Sequence, residues 1–87
     1  MLGAGVNAVD FDNKTAAHLA SELGHAAVIR ALCELGASMS LLCKYEGLSP
    51  AHIARMKGHA HVMQVMQEFG VHIPSMHQVQ EILQLNA

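Results

Sequence analysis

One pattern occurs twice in this sequence, with the copies thirty-four residues apart. The stretch "TAAHLASELGH" at residues 15–25 returns as "SPAHIARMKGH" at residues 49–59. Aligned without gaps, residues 15–37 and 49–71 share nine identities in 23 positions. Self-similarity at this period is typical of repeat proteins, in which each unit packs mainly against its neighbours. The repeat therefore predicts a stack of similar units.

Each copy has the pattern of two short helices. Thr15 and Ser49 carry hydroxyls that can accept hydrogen bonds from the free N–H groups at a helix start, and Pro50 stands at the first helical position, where its missing N–H does no harm. Glycines recur where each helix should stop, since glycine readily adopts the left-handed conformation of a helix end. They are Gly24, Gly36, Gly58 and Gly70.

The second helix of each copy, beginning near Ala26 and Ala60, carries an apolar stripe at helical spacing, which we expect to face the core. The stripe consists of Val28, Ile29, Leu32 and Leu35 in the first copy and of Val62, Met63, Met66 and Phe69 in the second.

Residues 75–86 have the pattern of a last helix. Ser75 is the expected cap and Gln78 completes a capping box. The expected apolar face is Met76, Val79, Ile82 and Leu83. One polar side on a helix after the final repeat is typical of a terminal cap that keeps a stack soluble.

The two copies resemble ankyrin repeats. The family's T-P-L-H-x-A signature stands here as "TAAHLA" (15–20) and "SPAHIA" (49–54), each followed by a Gly-His pair, and its G-A-D-V-N lead-in stands as "GAGVN" (3–7). The resemblance covers about residues 3–73 and departs from the family at Ala16, in place of proline, and at Ala17 and Ala51, in place of leucine. The second loop also lacks the aspartate that stands at Asp10 in the first. The resemblance implies an all-α repeat solenoid of ankyrin helix-turn-helix pairs with hairpin-like loops, called fingers below.

This resemblance divides the chain into five parts. They are the end of a preceding repeat with the first finger (1–14), a helix pair (15–36), the second finger (37–48), a second helix pair (49–70), and a linker with a C-terminal capping helix (71–87). We expect the chain to be the C-terminal piece of a longer ankyrin protein, with a bare N-terminal face that can self-associate.

Ankyrin-like proteins bind other proteins on the concave face and finger tips of the stack. By resemblance the partner-binding residues here are Phe11, Asp12, Asn13, Lys14, Ala16, Tyr45, Glu46, Gly47, Leu48 and Pro50. Exposed rings are common at the centre of protein interfaces, although Phe11 or Tyr45 could instead fold back over its own finger.

A second set of residues is assigned a structural role. His18 and His52 occupy the family's signature position, where the ring bonds backbone between adjacent repeats. The full set is Thr15, His18, Gly24, Gly36, Ser49, His52, Gly58 and Gly70.

Composition and motifs argue against several other functions. A net charge of −2 with five basic residues gives no surface for nucleic acid or an anionic membrane. The seven histidines lack the closely spaced cysteines of structural metal sites, no nucleophile motif is present, and no cofactor is expected. Two cysteines, Cys33 and Cys43, make no disulfide framework, which indicates a reducing, cytoplasmic or otherwise intracellular compartment.

Three functional hypotheses follow from the sequence. The first is a non-catalytic protein-recognition module. The second is a structural C-terminal cap of a longer array whose specificity lies upstream. The third is a regulatory or targeting arm of an enzyme or effector encoded upstream.

Overall fold

The computed structural model describes residues 7–44 and 47–85. These residues form five helices and no strand. The helices are α1 (Ala16–Leu23), α2 (Ala26–Glu34), α3 (Pro50–Lys57), α4 (Ala60–Glu68) and α5 (Met76–Leu85). α1 pairs with α2 and α3 with α4, and the second pair stacks on the first through α1–α3 and α2–α4 contacts. The predicted all-helical repeat architecture is confirmed.

The first helix of each pair begins and ends at the predicted residues. Thr15 and Ser49 cap α1 and α3, each accepting a hydrogen bond from the backbone N–H three residues on. Gly24 and Gly58 end these helices in the left-handed conformation, with φ of 77° and 71°. Capping at both ends explains why helices of only eight residues are defined so closely by local sequence.

One core, built from small side chains, joins the two helix pairs. Ala17 and Ala20 of α1 are buried in one cluster with Ala51 and Ala54 of α3, and Ile29, Val62 and Met66 belong to the same cluster. Alanines at the α1–α3 contact let the helix axes approach closely, so the packing is tight without aromatic residues.

The expected apolar stripe of α2 is only partly correct. Ile29 is fully buried and Leu32 half-buried, but Val28 is 43% exposed and Leu35 48% exposed. Val62, the counterpart of Val28 in the second copy, is fully buried. Val62 is buried because the second helix pair packs against the first on its side of α4. Val28 lies on the corresponding side of α2, where no helix in the described residues packs.

α5 forms a second, separate core with α3. Val79 is fully buried in a cluster with Cys43, Leu48 and Ile53, and Met56, Ile82 and Leu83 pack around it. The predicted capping box is present, because the Ser75 N–H donates to Gln78 Oε1 (2.9 Å) and the Gln78 N–H donates to Ser75 Oγ (3.2 Å). Met76, expected on the apolar face, is instead exposed at the helix start.

Candidate functional site

The first finger is a tight loop organised by one carboxylate. Asp10 Oδ1 accepts from the Asp12 N–H at 2.8 Å and from the Lys14 N–H at 2.9 Å, while the Asp10 carbonyl accepts from the Asn13 N–H at 3.0 Å. The hydrogen bonds from Lys14 and then Asp12 lower the pKa of Asp10. Asn13 adopts a φ of 60°, a left-handed conformation that asparagine tolerates. The sequence thus builds a defined turn at this tip.

This loop presents an aromatic ring to solvent. Phe11 is 98% exposed, so it does not fold back over the finger. Asn13 is exposed beside it, while Asp12 and Lys14 are half-buried. The Lys44 N–H donates to the Asp12 carbonyl at 2.7 Å, which ties the first finger to the second.

The face of α1 opposite its buried alanines is also apolar and exposed. Ala16 is exposed, Leu19 is 50% exposed and Leu23 is 67% exposed. Their spacing of three and four residues places the three side chains on one side of the helix. Sequence reasoning missed the two leucines as surface residues, although this spacing, set against Ala17 and Ala20, was a visible signal.

The second finger and the start of α3 differ from the expectation, and one residue of each must be removed from the candidate surface. Leu48 and Pro50 are fully buried, so neither can touch a partner. Leu48 is covered because α5 packs over this part of α3, in the cluster that also holds Ile53 and Val79. Gly47 is half-buried with a φ of 67°. Tyr45 and Glu46 lie outside the described residues.

His18 links the two repeats. The Thr15 N–H donates to His18 Nδ1 at 2.9 Å, so the proton of the neutral ring is on Nε2, which lies 3.0 Å from the Leu48 carbonyl and donates to it. Burial lowers the pKa of His18 from its usual 6.5, which keeps the ring neutral at physiological pH. His18 therefore both caps α1 and holds the base of the second finger.

Gly24 meets the second repeat at a point where no side chain fits. A Cβ at Gly24 would lie 2.8 Å from the ring Nδ1 of His59. The same His59 ring donates from Nε2 to the Glu22 carbonyl at 3.0 Å, which closes the carboxyl end of α1. Gly58, the counterpart of Gly24, has open space around it. Gly36 and Gly70 follow the second helices with φ of 86° and 81°, also in open space.

A salt bridge connects the second helices. Arg30 of α2 donates to Glu68 of α4 at 2.8 Å, and its guanidinium lies 6.0 Å from the centre of the Phe69 ring. Both charged side chains are about half exposed (45% and 46%), so solvent screens the pair and its contribution to stability is small.

The described residues show no cluster of metal-binding side chains. In ranges 7–44 and 47–85, no three histidine, cysteine or acidic side chains come together as metal ligands. Cys33 and Cys43 are not joined in a disulfide, and burial raises the pKa of the Cys33 thiol, which disfavours the reactive thiolate. Cys43 is buried rather than presented on the loop. None of the helices described is long and apolar enough to cross a membrane.

Comparison with known families gives a match over most of the chain. The family described as ankyrin repeats, in 3 copies, matches residues 1–77. No curated protein matches the sequence. The matched range contains both helix pairs, both fingers and the first residues of α5.

Proposed function

The chain belongs to the ankyrin-repeat family, and we propose that it is a non-catalytic protein-binding module whose partner contacts the first finger and the outward face of α1. Ankyrin repeats are in general protein–protein interaction modules. The observation that carries the proposal is Phe11, which is 98% exposed on a loop held by three hydrogen bonds to Asp10. A large ring held in a preorganised loop loses little entropy on binding, which is typical of an interface hot spot.

The surface around Phe11 supports the same assignment. Leu19 and Leu23 add exposed apolar area on α1. The small side chain of Ala16, also exposed, lets a partner approach the helix on the same side. Asp12, Asn13 and Lys14 supply polar groups at the rim, where they favour specificity over affinity. Tyr45, Glu46 and Gly47 of the second finger complete the proposed contact surface, without Leu48 and Pro50.

A second candidate, a structural cap of a longer array, is favoured by α5. This helix packs on Leu48 and Ile53, whose counterparts in the first copy, Lys14 and Leu19, are half-buried or exposed. The two candidates are compatible, because the capped surface belongs to the second repeat and the proposed contact surface to the first. A reducing intracellular compartment is proposed for both, since the two cysteines of the chain make no disulfide framework.

The test compares capture of partners from a cell lysate, under reducing conditions, by the tagged chain and by Phe11→Ala. The matched control is Phe69→Ala, which makes the same change at an exposed ring after the end of α4. Circular dichroism checks that all three chains are equally helical. We expect a partner that the parent and the control retain and Phe11→Ala loses. Identical sets of proteins for all three chains would contradict the proposal.

Self-association is tested in the same experiment. Val28 and Leu35 are exposed on the side of α2 that faces away from α4, and this apolar surface is where we propose that two copies would meet. An untagged copy of the chain is added to the lysate, and we expect it to be recovered with the tagged chain. If the tagged Val28→Asp chain no longer recovers the untagged copy and the tagged Leu85→Asp chain still does, contact through α2 is supported.

A further inference from the structure

A groove of about 590 Å³ lies between the start of α3 and the face of α5. Its walls are mostly apolar and include Met39, Ala51, Val71 and Leu85. His52 of α3 is among the polar residues that line it. The groove lies beside α5 and is formed by none of the residues of the first finger.

The His52 ring has one nitrogen that pairs within the chain and one that does not. Nδ1 lies 2.6 Å from Ser49 Oγ and 3.3 Å from the Ser49 nitrogen, whose N–H donates to it. The proton of the neutral ring is therefore on Nε2. Burial lowers the pKa of His52, which favours this neutral form. No group among residues 7–44 and 47–85 accepts a hydrogen bond from His52 Nε2.

The first repeat shows what occupies the equivalent position. His18 has the same relation to Thr15 as His52 has to Ser49, and its Nε2–H donates to the Leu48 carbonyl at 3.0 Å. Leu48 belongs to the extended segment that returns from the second finger into α3, and its side chain is fully buried. In this fold the signature histidine is thus satisfied by the backbone carbonyl of an extended segment that carries an aliphatic side chain.

The segment that follows the second repeat is too short to form a finger. Pro74 precedes Ser75, the cap of α5, as Leu48 precedes Ser49, and α5 packs on α3 through Val79 in the separate core. Within residues 7–44 and 47–85 the Pro74 carbonyl does not accept from His52 Nε2, so the groove lacks the acceptor that Leu48 supplies to His18. It combines an available N–H donor with apolar walls, which are the two features that an extended peptide requires.

We propose that the groove between α3 and α5 binds an extended segment of a partner protein, whose backbone carbonyl accepts the His52 Nε2–H and whose aliphatic side chain packs on the apolar walls. The partner supplies to the second repeat the kind of segment that the second finger of this chain supplies to the first repeat. Glu81 at the rim of the groove favours a segment with a basic residue. This site is distinct from the first-finger surface and does not depend on that assignment.

The probe is a synthetic peptide of residues 41–49 of this chain, with Cys43→Ser to prevent oxidation. It contains Leu48 and the carbonyl that His18 holds, and it carries Lys44. Binding is followed by the shifts of backbone amide signals in nitrogen-15 NMR spectra of the whole chain. This measurement detects weak binding, locates the site and reports the fold at the same time.

Two variants test the donor and the apolar wall. His52→Glu keeps a capping box at α3, because glutamate at this position accepts from the Ser49 N–H, but it removes the donor. His61→Glu makes the same change at an exposed position on α4, away from the groove. Leu85→Asp places a charge in the apolar wall at a side chain that is 85% exposed, and Phe69→Asp is its control after the end of α4.

We expect peptide-induced shifts at Ala51, His52 and Leu85. The affinity should fall by about tenfold or more in His52→Glu and in Leu85→Asp, and should stay within about twofold in the two controls. Absence of shifts at millimolar peptide, shifts confined to the surroundings of His18, or equal losses in variants and controls would each overturn the proposal. Phe11→Ala should bind the peptide like the parent, so a failure of the first-finger proposal leaves this result unaffected.

Discussion

At the residue scale, the repeat places identical residues in unequal surroundings. Gly24 lies against the His59 ring, whereas Gly58 lies in open space. His18 donates to the Leu48 carbonyl, whereas no described group accepts from His52 Nε2. Each copy therefore serves as an internal control for the other, and the difference between equivalent substitutions measures the contact between repeats.

The two glycines give the first prediction. Gly58→Ala should destabilise the chain by about 1 kcal/mol, because alanine is strained at a φ of 71°. Gly24→Ala carries the same backbone strain and also a Cβ 2.8 Å from His59, so we expect a further loss of about 1–3 kcal/mol. Urea unfolding of both variants checks this. Equal losses of unfolding free energy in the two variants would show that the His59 ring moves away from the added Cβ at no free-energy cost.

His18 gives a prediction about pH. Its folded pKa lies below the unfolded value of 6.5, so the unfolded chain binds more protons in this range. The stability that the neutral ring contributes is complete above pH 6.5 and is lost as the pH falls through the folded pKa. His52, whose pKa is also lowered by burial, acts in the same direction.

Urea unfolding should therefore give a lower free energy of unfolding at pH 5 than at pH 7.5. His18→Gln, which keeps the capping box with Thr15, should lose stability at pH 7.5 and show a weaker dependence on pH. A parent chain equally stable at both values, or a variant with an unchanged pH profile, would contradict the role assigned to His18.

At the element scale, local sequence predicted α1, α3 and α5 closely because their ends are encoded by caps. Thr15, Ser49 and Ser75 each bond the residue three positions on, and these contacts depend only on neighbours in the chain. The exposure of Val28 could not be predicted in this way. Helical spacing identifies an apolar stripe, but burial requires a second element to cover it, and that depends on the fold.

The burial of Leu48 and Pro50 was missed for the same reason. Resemblance places both near the contact surface of the family, and only the position of α5 shows that this chain covers them itself. Conversely, Asp10 was noted only as a family residue, yet it determines the geometry of the finger tip through two backbone N–H groups. The proposed contact surface is thus concentrated on the first repeat.

The docking of α5 gives a prediction for a single side chain. Val79→Ala removes a fully buried side chain from the α3–α5 core and should destabilise the chain by about 1–3 kcal/mol. Gln80→Ala, at the exposed neighbouring position, should change stability little. Hydrogen exchange should show faster exchange of the Cys43 amide, which donates to the Leu48 carbonyl, in Val79→Ala alone. Unchanged exchange there would mean that α5 does not hold the second finger.

At the scale of the whole molecule, the two ends of the stack have different surfaces. The first repeat offers an exposed ring and exposed leucines, while α5 packs on α3 of the second repeat, beside the groove that His52 lines. A partner that contacts the first repeat would leave the groove open. The two proposed surfaces therefore predict that two ligands bind at once, and each surface can be altered without the other.

We propose that a protein partner contacts the first finger. The experiment to make first places the photo-crosslinking residue benzoyl-phenylalanine at position 11, and at position 69 in a control chain, followed by irradiation in lysate and mass spectrometry. Both positions carry an exposed phenylalanine, at 98% for Phe11 and 41% for Phe69, and Phe69 belongs to neither proposed surface. We expect a crosslinked protein specific to position 11. No crosslink there, or the same proteins from both positions, would contradict it.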